Sequence, residues 1–151
     1  MRMRMSLLVG IFLLGSASVW AGGIGDRTDG CPKNLEKEAL EVVSTDILDW
    51  AELHSAYSRY IPCDDGAIAE GFSDIVVRTL AYRWATLGKL GSIARKDPAF
   101  LRFVYRHIDA TTDPPDLQRI RDNLKKPGCP RSSGKVCRGI ELAVTQALEE
   151  M

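Results

Sequence analysis

Apolar residues recur three and four positions apart along most of the chain, which predicts amphipathic α-helices. The first two such stripes are formed by Leu35, Ala39, Val42 and Val43, and by Trp50, Leu53, Tyr57 and Ile61. Pro62 ends the second stripe because proline cannot continue a helix interior. No segment shows the sustained alternation of apolar and polar residues that a half-buried β-strand needs. The pattern therefore predicts an all-α fold.

The longest predicted helix runs from about Gly66 to Leu87. Asp64 and Asp65 precede it, and aspartate favours the N-cap of a helix because its carboxylate accepts a hydrogen bond from a free backbone N–H. Its apolar face is broad and comprises Ile68, Phe72, Ile75, Val76, Val77, Thr79, Leu80, Trp84 and Leu87. A face of this width is typical of a central helix that several neighbours pack against.

Proline-containing start signals mark the later helices. A short helix is predicted over Leu90 to Lys96, and the pair Asp97-Pro98 starts the next, with aspartate as the N-cap and proline in the first turn. The segment from Asp113 to Pro115 repeats this signal for a helix that ends near Pro127 and Gly128, and the last helix is expected to follow Cys137. The total is six to seven helices, which we expect to form one orthogonal or irregular bundle.

The N-terminus has the three parts of a secretory signal peptide. Arg2 and Arg4 precede an apolar run from Leu7 to Leu14, and Ala21 supplies a small residue before a cut. The run is too short to span a bilayer, which needs roughly 20 residues; the alternative is an N-terminal membrane anchor. We therefore expect a cleaved signal peptide over residues 1–21, a single helical domain over 22–151 with a loose arm over 22–33, a periplasmic or secreted location, and no stable membrane insertion after cleavage.

The expected mature chain contains four cysteines, and an even number in an exported protein predicts two disulfides. The cysteines are Cys31, Cys63, Cys129 and Cys137, and three pairings are possible. Pro130 and Gly134 make the segment between the last two a turn, so we prefer Cys129–Cys137, which leaves Cys31–Cys63. A metal site is disfavoured because there is no CxxC motif and neither histidine has ligand-like spacing to a cysteine. No metal or other cofactor is expected.

Charge is unevenly distributed along the chain. Residues 22–74 contain 4 basic and 12 acidic residues, whereas residues 95–138 contain 11 basic and 5 acidic ones. The two segments either neutralise each other in the fold or form two surfaces of opposite sign, which would attract a cationic protein and an anionic glycan, lipid or protein respectively. Nucleic acid is not an expected partner, because the predicted mature chain has 18 basic and 20 acidic residues and export separates it from nucleic acid.

The densest polar cluster is formed by Asp64, Asp65, Glu70 and Asp74, at the start of the longest helix. Glu70 and Asp74 are four residues apart, so they share a helix face and repel each other weakly. Capping accounts for one or two of these carboxylates. We interpret the cluster as a binding surface for a protein partner; the alternatives are helix capping with solvation, a cation site, or a carboxylate pair for acid–base catalysis.

Two further residues stand out in the helical pattern. His107 falls within an apolar stripe, where a buried histidine that satisfies its hydrogen bonds is the commoner outcome, while His54 flanks its own stripe. Arg83 projects near the middle of the apolar face of the long helix. It is therefore a candidate for a buried ion pair or an anion site, unless the helix end is exposed or its charged head reaches water.

No sequence motif identifies an enzyme, and no catalytic residue is assigned. We expect an exported helical binding protein, such as an inhibitor or immunity-type protein that neutralises a protein partner in the periplasm. One alternative is a small envelope hydrolase that uses Glu70 or Asp74 with His107. Another is an envelope protein that binds an anionic glycan through its basic helices.

Overall fold

The computed structural model describes residues 30–47 and 49–151, so the predicted signal peptide and most of the N-terminal arm lie outside the described residues. Within these ranges the chain forms seven α-helices and no β-strand, which confirms the all-α prediction. The helices are α1 Lys33–Val43, α2 Trp50–Tyr60, α3 Gly66–Tyr82, α4 Leu87–Lys96, α5 Pro98–Arg106, α6 Pro114–Asn123 and α7 Gly134–Glu149. None of the described helices is long and apolar enough to cross a membrane.

Helix α3 lies at the centre of the bundle, as its broad apolar face predicts, and packs against α1 and α6. Helix α4 packs against α2 and α5, and α7 packs against α5 and α6. The side chains of Phe72, Phe100, Phe103 and Leu80 are almost completely buried in a single cluster that joins these helices. The apolar stripes predicted from the sequence therefore meet in one core.

Helix α3 ends at Tyr82, five residues before the predicted end. Arg83 leaves helical geometry with φ −122° and ψ 30°, and a 3-10 turn over Trp84–Thr86 leads into α4. The amide of Asn123 donates hydrogen bonds to two of the last carbonyls of α3, at 3.2 and 3.0 Å. The break therefore leaves these carbonyls satisfied, and Leu87 begins a new helix instead of ending the old one.

The boundaries near the C-terminus also differ from the prediction. Helix α6 ends at Asn123, and the following turn over Leu124–Gly128 contains Lys126 in an extended conformation. Pro127 is the physical reason, since the residue before proline is sterically excluded from helical angles. Helix α7 starts at Gly134 rather than after Cys137, so Cys137 lies in the first turns of the helix.

Both preferred disulfide pairings are confirmed. Cys31 is bonded to Cys63, which ties the segment before α1 to the turn before α3. Cys129 is bonded to Cys137, which ties the segment after α6 to α7. The described part of the chain contains no free cysteine.

Candidate functional site

The most unusual feature of the core is a buried histidine. His107 directly follows α5, and its side chain is only 4% exposed. One ring nitrogen, Nδ1, lies 2.9 Å from the hydroxyl of Ser73, a residue of α3 that is also buried. The ring packs against Phe103, with 4.2 Å between the two ring centroids. The helical pattern predicted a satisfied core histidine at this position, and the structure provides its partners.

The other ring nitrogen faces the carboxylate of Asp64, which lies in the turn before α3. The Nε2 atom of His107 is 3.1 Å from Oδ1 and 3.2 Å from Oδ2, with hydrogen-bond geometry to Oδ2. The side chain of Asp64 is 6% exposed, and its Oδ1 has no hydrogen-bond partner among the described residues. Arg106, whose side chain is exposed, forms an ion pair with the same carboxylate. Asp64 is thus held between a buried imidazole and an exposed guanidinium.

Asp109 completes the network from the loop between α5 and α6. Its Oδ2 accepts a hydrogen bond of 2.8 Å from the Ser73 hydroxyl, and its Oδ1 accepts one of 2.8 Å from the backbone N–H of Thr111. Partial burial raises the pKa of Asp109, but the hydrogen bonds from Thr111 and Ser73 outweigh burial, so the pKa lies below its usual value of 3.8. Asp109 is therefore a carboxylate at neutral pH.

The protons of this network can be assigned from the chemistry of its groups. Burial lowers the pKa of His107 below 6.5, and the opposing influence of Asp64 does not outweigh it, so the imidazole is neutral at neutral pH. A carboxylate can only accept, so the single ring proton belongs on Nε2, where it is donated to Asp64. Nδ1 is then an acceptor, and the Ser73 hydroxyl has one proton for two acceptors, Nδ1 and Asp109.

A shallow cleft of about 220 Å³ opens over the network. It is lined by Asp64, Ala69, Glu70, Ser73, Arg106, His107, Asp109 and Thr111. Glu70 is an exposed residue of α3 that forms no ion pair with any residue the structure describes. The cleft therefore has a buried, hydrogen-bonded floor and a rim that carries one unpaired carboxylate.

The network contains a serine, a histidine and an aspartate, the three residue types of a hydrolase triad, but it resembles such a triad in composition only. Ser73 is 2% exposed and lies in the middle of α3, so its hydroxyl is not open to a substrate. Its proton already has a carboxylate acceptor in Asp109. The hydrolase alternative paired His107 with Glu70 or Asp74. In the described structure His107 instead hydrogen-bonds Asp64 and Ser73, and it forms no hydrogen bond with Glu70 or Asp74. The geometry therefore favours a structural role for Ser73, which connects α3 to His107 and Asp109, over a role as a nucleophile.

Comparisons with known proteins do not indicate a function, so a functional proposal depends on the geometry of the site. Protein-family models, curated proteins and solved structures contain no match to this chain. Among the described residues, no group of three or more His, Cys, Asp or Glu side chains is arranged to hold a metal ion.

The four carboxylates of the predicted acidic cluster occupy different environments. Asp65 is the N-cap of α3 and accepts a hydrogen bond of 2.8 Å from the N–H of Gly66. Asp74 lies 3.4 Å from Arg78, which also pairs with Asp46. Asp64 belongs to the buried network. Glu70 is exposed and has neither an ionic partner nor a capping hydrogen bond among the described residues.

Arg83 is not part of a buried ion pair. It is exposed and forms no salt bridge to any described residue. The helical projection failed because α3 ends at Tyr82, so the position of Arg83 no longer follows the spacing of a helix. The position of Arg83 corresponds to the alternative in which the helix end is exposed.

The basic and acidic segments barely neutralise each other. The carboxylates of residues 22–74 pair chiefly with cations outside the basic segment 95–138, as in Arg59–Glu38, Arg78–Asp46 and Lys89–Asp49. Of the arginines and lysines from 95 to 138, Arg106 alone pairs with a carboxylate of the first half among the described residues. Most of the arginines and lysines of the later segment therefore form no ion pair with a described residue.

Sequence reasoning did not find Ser73 or Asp109. Ser73 is a polar residue between the buried Phe72 and Ile75, and a buried hydroxyl must find a hydrogen-bond partner. A serine at an apolar position of a helix is therefore a signal in the sequence, although a weaker one than a charged residue such as Arg83. Asp109 gave no signal of its own, since it lies in a loop and its role depends on contact with α3.

Proposed function

We propose that this chain is an exported helical binding protein that docks a basic protein partner, in the manner of a periplasmic inhibitor or immunity-type protein. The docking site would be the acidic surface, defined here as Asp65, Glu70 and Asp74 together with the cleft above Asp64. The single observation that carries the proposal is Glu70, an exposed carboxylate at the rim of the cleft without an ionic partner among the described residues.

The hydrogen-bonded network beneath the acidic surface supports a role in binding, because it holds the surface in one conformation. Asp64 is held by His107 and Arg106, and the adjoining loop is held by the hydrogen bond between Ser73 and Asp109. A surface that is already ordered loses little conformational entropy when a partner docks, which favours affinity. The cleft of about 220 Å³ has room for a side chain of the partner such as arginine or lysine.

The charge of the surface also favours a basic partner. An arginine or lysine of the partner would pair with Glu70, which relieves the weak repulsion between Glu70 and Asp74. Exposed charges of this kind mainly raise the association rate and select the partner. The export part of the proposal is supported by the N-terminal sequence pattern and by two disulfides, which persist in oxidising compartments.

A binding experiment with matched charge reversals tests the proposal. The immobilised protein is incubated with an extract of exported proteins from its source cell, and retained proteins are identified by mass spectrometry. Glu70→Lys is the test variant, and Glu149→Lys is the control because Glu149 is an exposed residue of α7 and the net charge changes equally. Thermal unfolding of both variants should match that of the wild type.

The expected result is a basic protein that the wild type and Glu149→Lys retain and that Glu70→Lys loses. Its association rate with the wild type should fall as salt is added, because exposed charges are screened within about 8 Å at physiological ionic strength. Equal retention by all three proteins would remove the acidic surface from the proposal. Turnover of an envelope polymer that disappears in Glu70→Lys would favour the hydrolase alternative instead.

A further inference from the structure

Positive charge is concentrated in the segment from α6 to the start of α7. Residues 119–138 include seven arginines and lysines and a single acidic residue, Asp122, which gives a net charge of +6. All seven cations are exposed: Arg119, Arg121, Lys125, Lys126, Arg131, Lys135 and Arg138. Their one ion pair among the described residues joins Lys125 to Asp122 at 3.8 Å. Apart from Lys125, these cations therefore face solvent without an ionic partner among the described residues.

Part of this positive surface forms a groove of about 340 Å³ between α6 and α7. Arg121 and Lys125 line it from the α6 side, and Arg138 lines it from α7. Leu124 is partly exposed and contributes apolar surface, whereas Val144 lies buried at the base of the groove. One carboxylate, that of Glu141, also lines the groove.

The groove is held in shape by a covalent bond. Cys129 and Cys137 both line it, and their disulfide fixes the segment after α6 to the first turns of α7. Arg138 directly follows Cys137, so the bridge also fixes the backbone that carries this arginine. The disulfide thus restrains the backbone on the two sides of the groove relative to each other.

We propose that this groove binds an acidic polysaccharide. Guanidinium groups pair with carboxylate, sulfate and phosphate in a bidentate geometry, and apolar surface between them accommodates the carbon face of a sugar ring. Exposed clusters of arginine and lysine are typical of heparin-binding patches. Two disulfides are typical of an oxidising compartment outside the cytoplasm, where such glycans occur.

Two rival anionic ligands fit the groove less well. Proteins that bind single-stranded nucleic acid stack bases on aromatic side chains, and none of the described residues that line this groove is aromatic. An extended acidic peptide gains much of its affinity from main-chain pairing with an exposed strand edge, and the described residues form no strand. The proposal is independent of the acidic surface, because the two sites share no residue.

The test measures the binding of a heparin oligosaccharide to the full-length mature chain by calorimetry at ~150 mM salt. The test variant is Arg121→Gln/Arg138→Gln. The matched control is Arg83→Gln/Arg102→Gln, which removes two equally exposed charges from other helices and helix ends. Neutral dextran of equal length, single-stranded DNA and polyglutamate are the comparison ligands.

The wild type and the control should bind heparin with dissociation constants within about threefold of each other, and the test variant should bind roughly 10- to 100-fold more weakly. Dextran should not bind. An equal loss in the control would overturn the proposal, since it would reduce the effect to net charge. Tighter binding of DNA or polyglutamate than of heparin, or no heparin binding at this salt concentration, would also overturn it. Loss of a basic protein partner in Glu70→Lys is a separate readout and bears on the acidic surface alone.

Discussion

The imidazole of His107 lies 3.1 Å from the carboxylate of Asp64, although 43 residues separate them in the chain. The contact joins the end of α5 to the turn that starts α3, and the same turn is tied to the N-terminal segment by the disulfide at Cys63. A covalent link and a buried polar contact therefore meet at the start of the central helix. The acidic surface lies directly over this part of the molecule.

Asp64→Ala should destabilise the fold by about 1–3 kcal/mol, because it leaves the Nε2 proton of a buried imidazole without an acceptor. Asp46→Ala is the control, since Asp46 is exposed and paired with Arg78 at the surface, where an ion pair contributes less than about 1 kcal/mol. Urea unfolding at pH 7.5 measures both changes. Equal losses of stability in the two variants would show that the contact between Asp64 and His107 contributes no more than a surface ion pair.

Stability should fall as the pH is lowered from about 7. The pKa of His107 is lowered by burial, so between its native pKa and its usual value of 6.5 the unfolded chain binds a proton that the folded chain does not. The contribution is complete above 6.5 and is lost as the pH falls toward the native pKa, at about 1.4 kcal/mol for each pH unit between the two values. Carboxylates with a lowered pKa, such as Asp109, act in the same direction but at lower pH, around and below 3.8.

Two measurements check this pH dependence. The ring protons of His107 should titrate with a midpoint below 6.5 in an NMR experiment. Urea unfolding of His107→Gln should lose the dependence of stability on pH that the wild type has just below pH 6.5. A midpoint above 6.5 would mean that Asp64 outweighs burial. In that case stability would instead be lost as the pH rises through the native pKa.

Gly139→Ala should destabilise the fold. A Cβ atom at Gly139 in α7 would lie 2.2 Å from Cζ of Tyr105, whose hydroxyl donates a hydrogen bond to the carbonyl of Val136. Either Tyr105 moves and breaks this bond or α7 shifts, and overpacking of this kind costs about 1–3 kcal/mol. Thermal or urea unfolding measures the change.

Gly88→Ala is the matched control for that substitution. Gly88 is an exposed residue of α4, and a Cβ atom there would meet nothing within 4 Å. Alanine is the better helix former, so this change should stabilise the fold by about 0.4–1 kcal/mol. The two substitutions add the same methyl group, so opposite signs would assign the loss at Gly139 to the contact with Tyr105. Similar effects in both would contradict that contact.

Both disulfides should be present in the mature protein, and they should differ in the stability they confer. In the chain-entropy model the bridge between Cys31 and Cys63, which closes 32 residues, contributes roughly 4 kcal/mol, against roughly 2.5 kcal/mol for Cys129–Cys137, which closes 8. Paired Cys→Ser replacements compared by urea unfolding test the order. Intact mass after alkylation without a reductant tests oxidation, and two or more labelled cysteines would contradict it.

Several elements could be predicted because their physics is local. Asp97 is the N-cap of α5 and accepts hydrogen bonds from Ala99 and Phe100, as the pair Asp97-Pro98 indicated. The disulfide between Cys129 and Cys137 followed from a turn-forming segment of a few residues. The width of the apolar face of α3 likewise predicted its central place. In each case the residues that decide the outcome lie within a few positions of one another.

The sequence alone therefore determined the all-α class and most helix starts, since hydrophobic spacing and capping act over one or two turns. It also favoured the short-range pair Cys129–Cys137, whereas Cys31–Cys63, 32 residues apart, followed only as the remaining pair. Only the tertiary structure decided that α3 stops at Tyr82, that Arg83 is exposed, and that Ser73, His107, Asp64 and Asp109 meet in one network. Ser73 is 34 residues from His107 and 36 from Asp109. Such contacts depend on how helices pack, and no local preference of the chain specifies that packing.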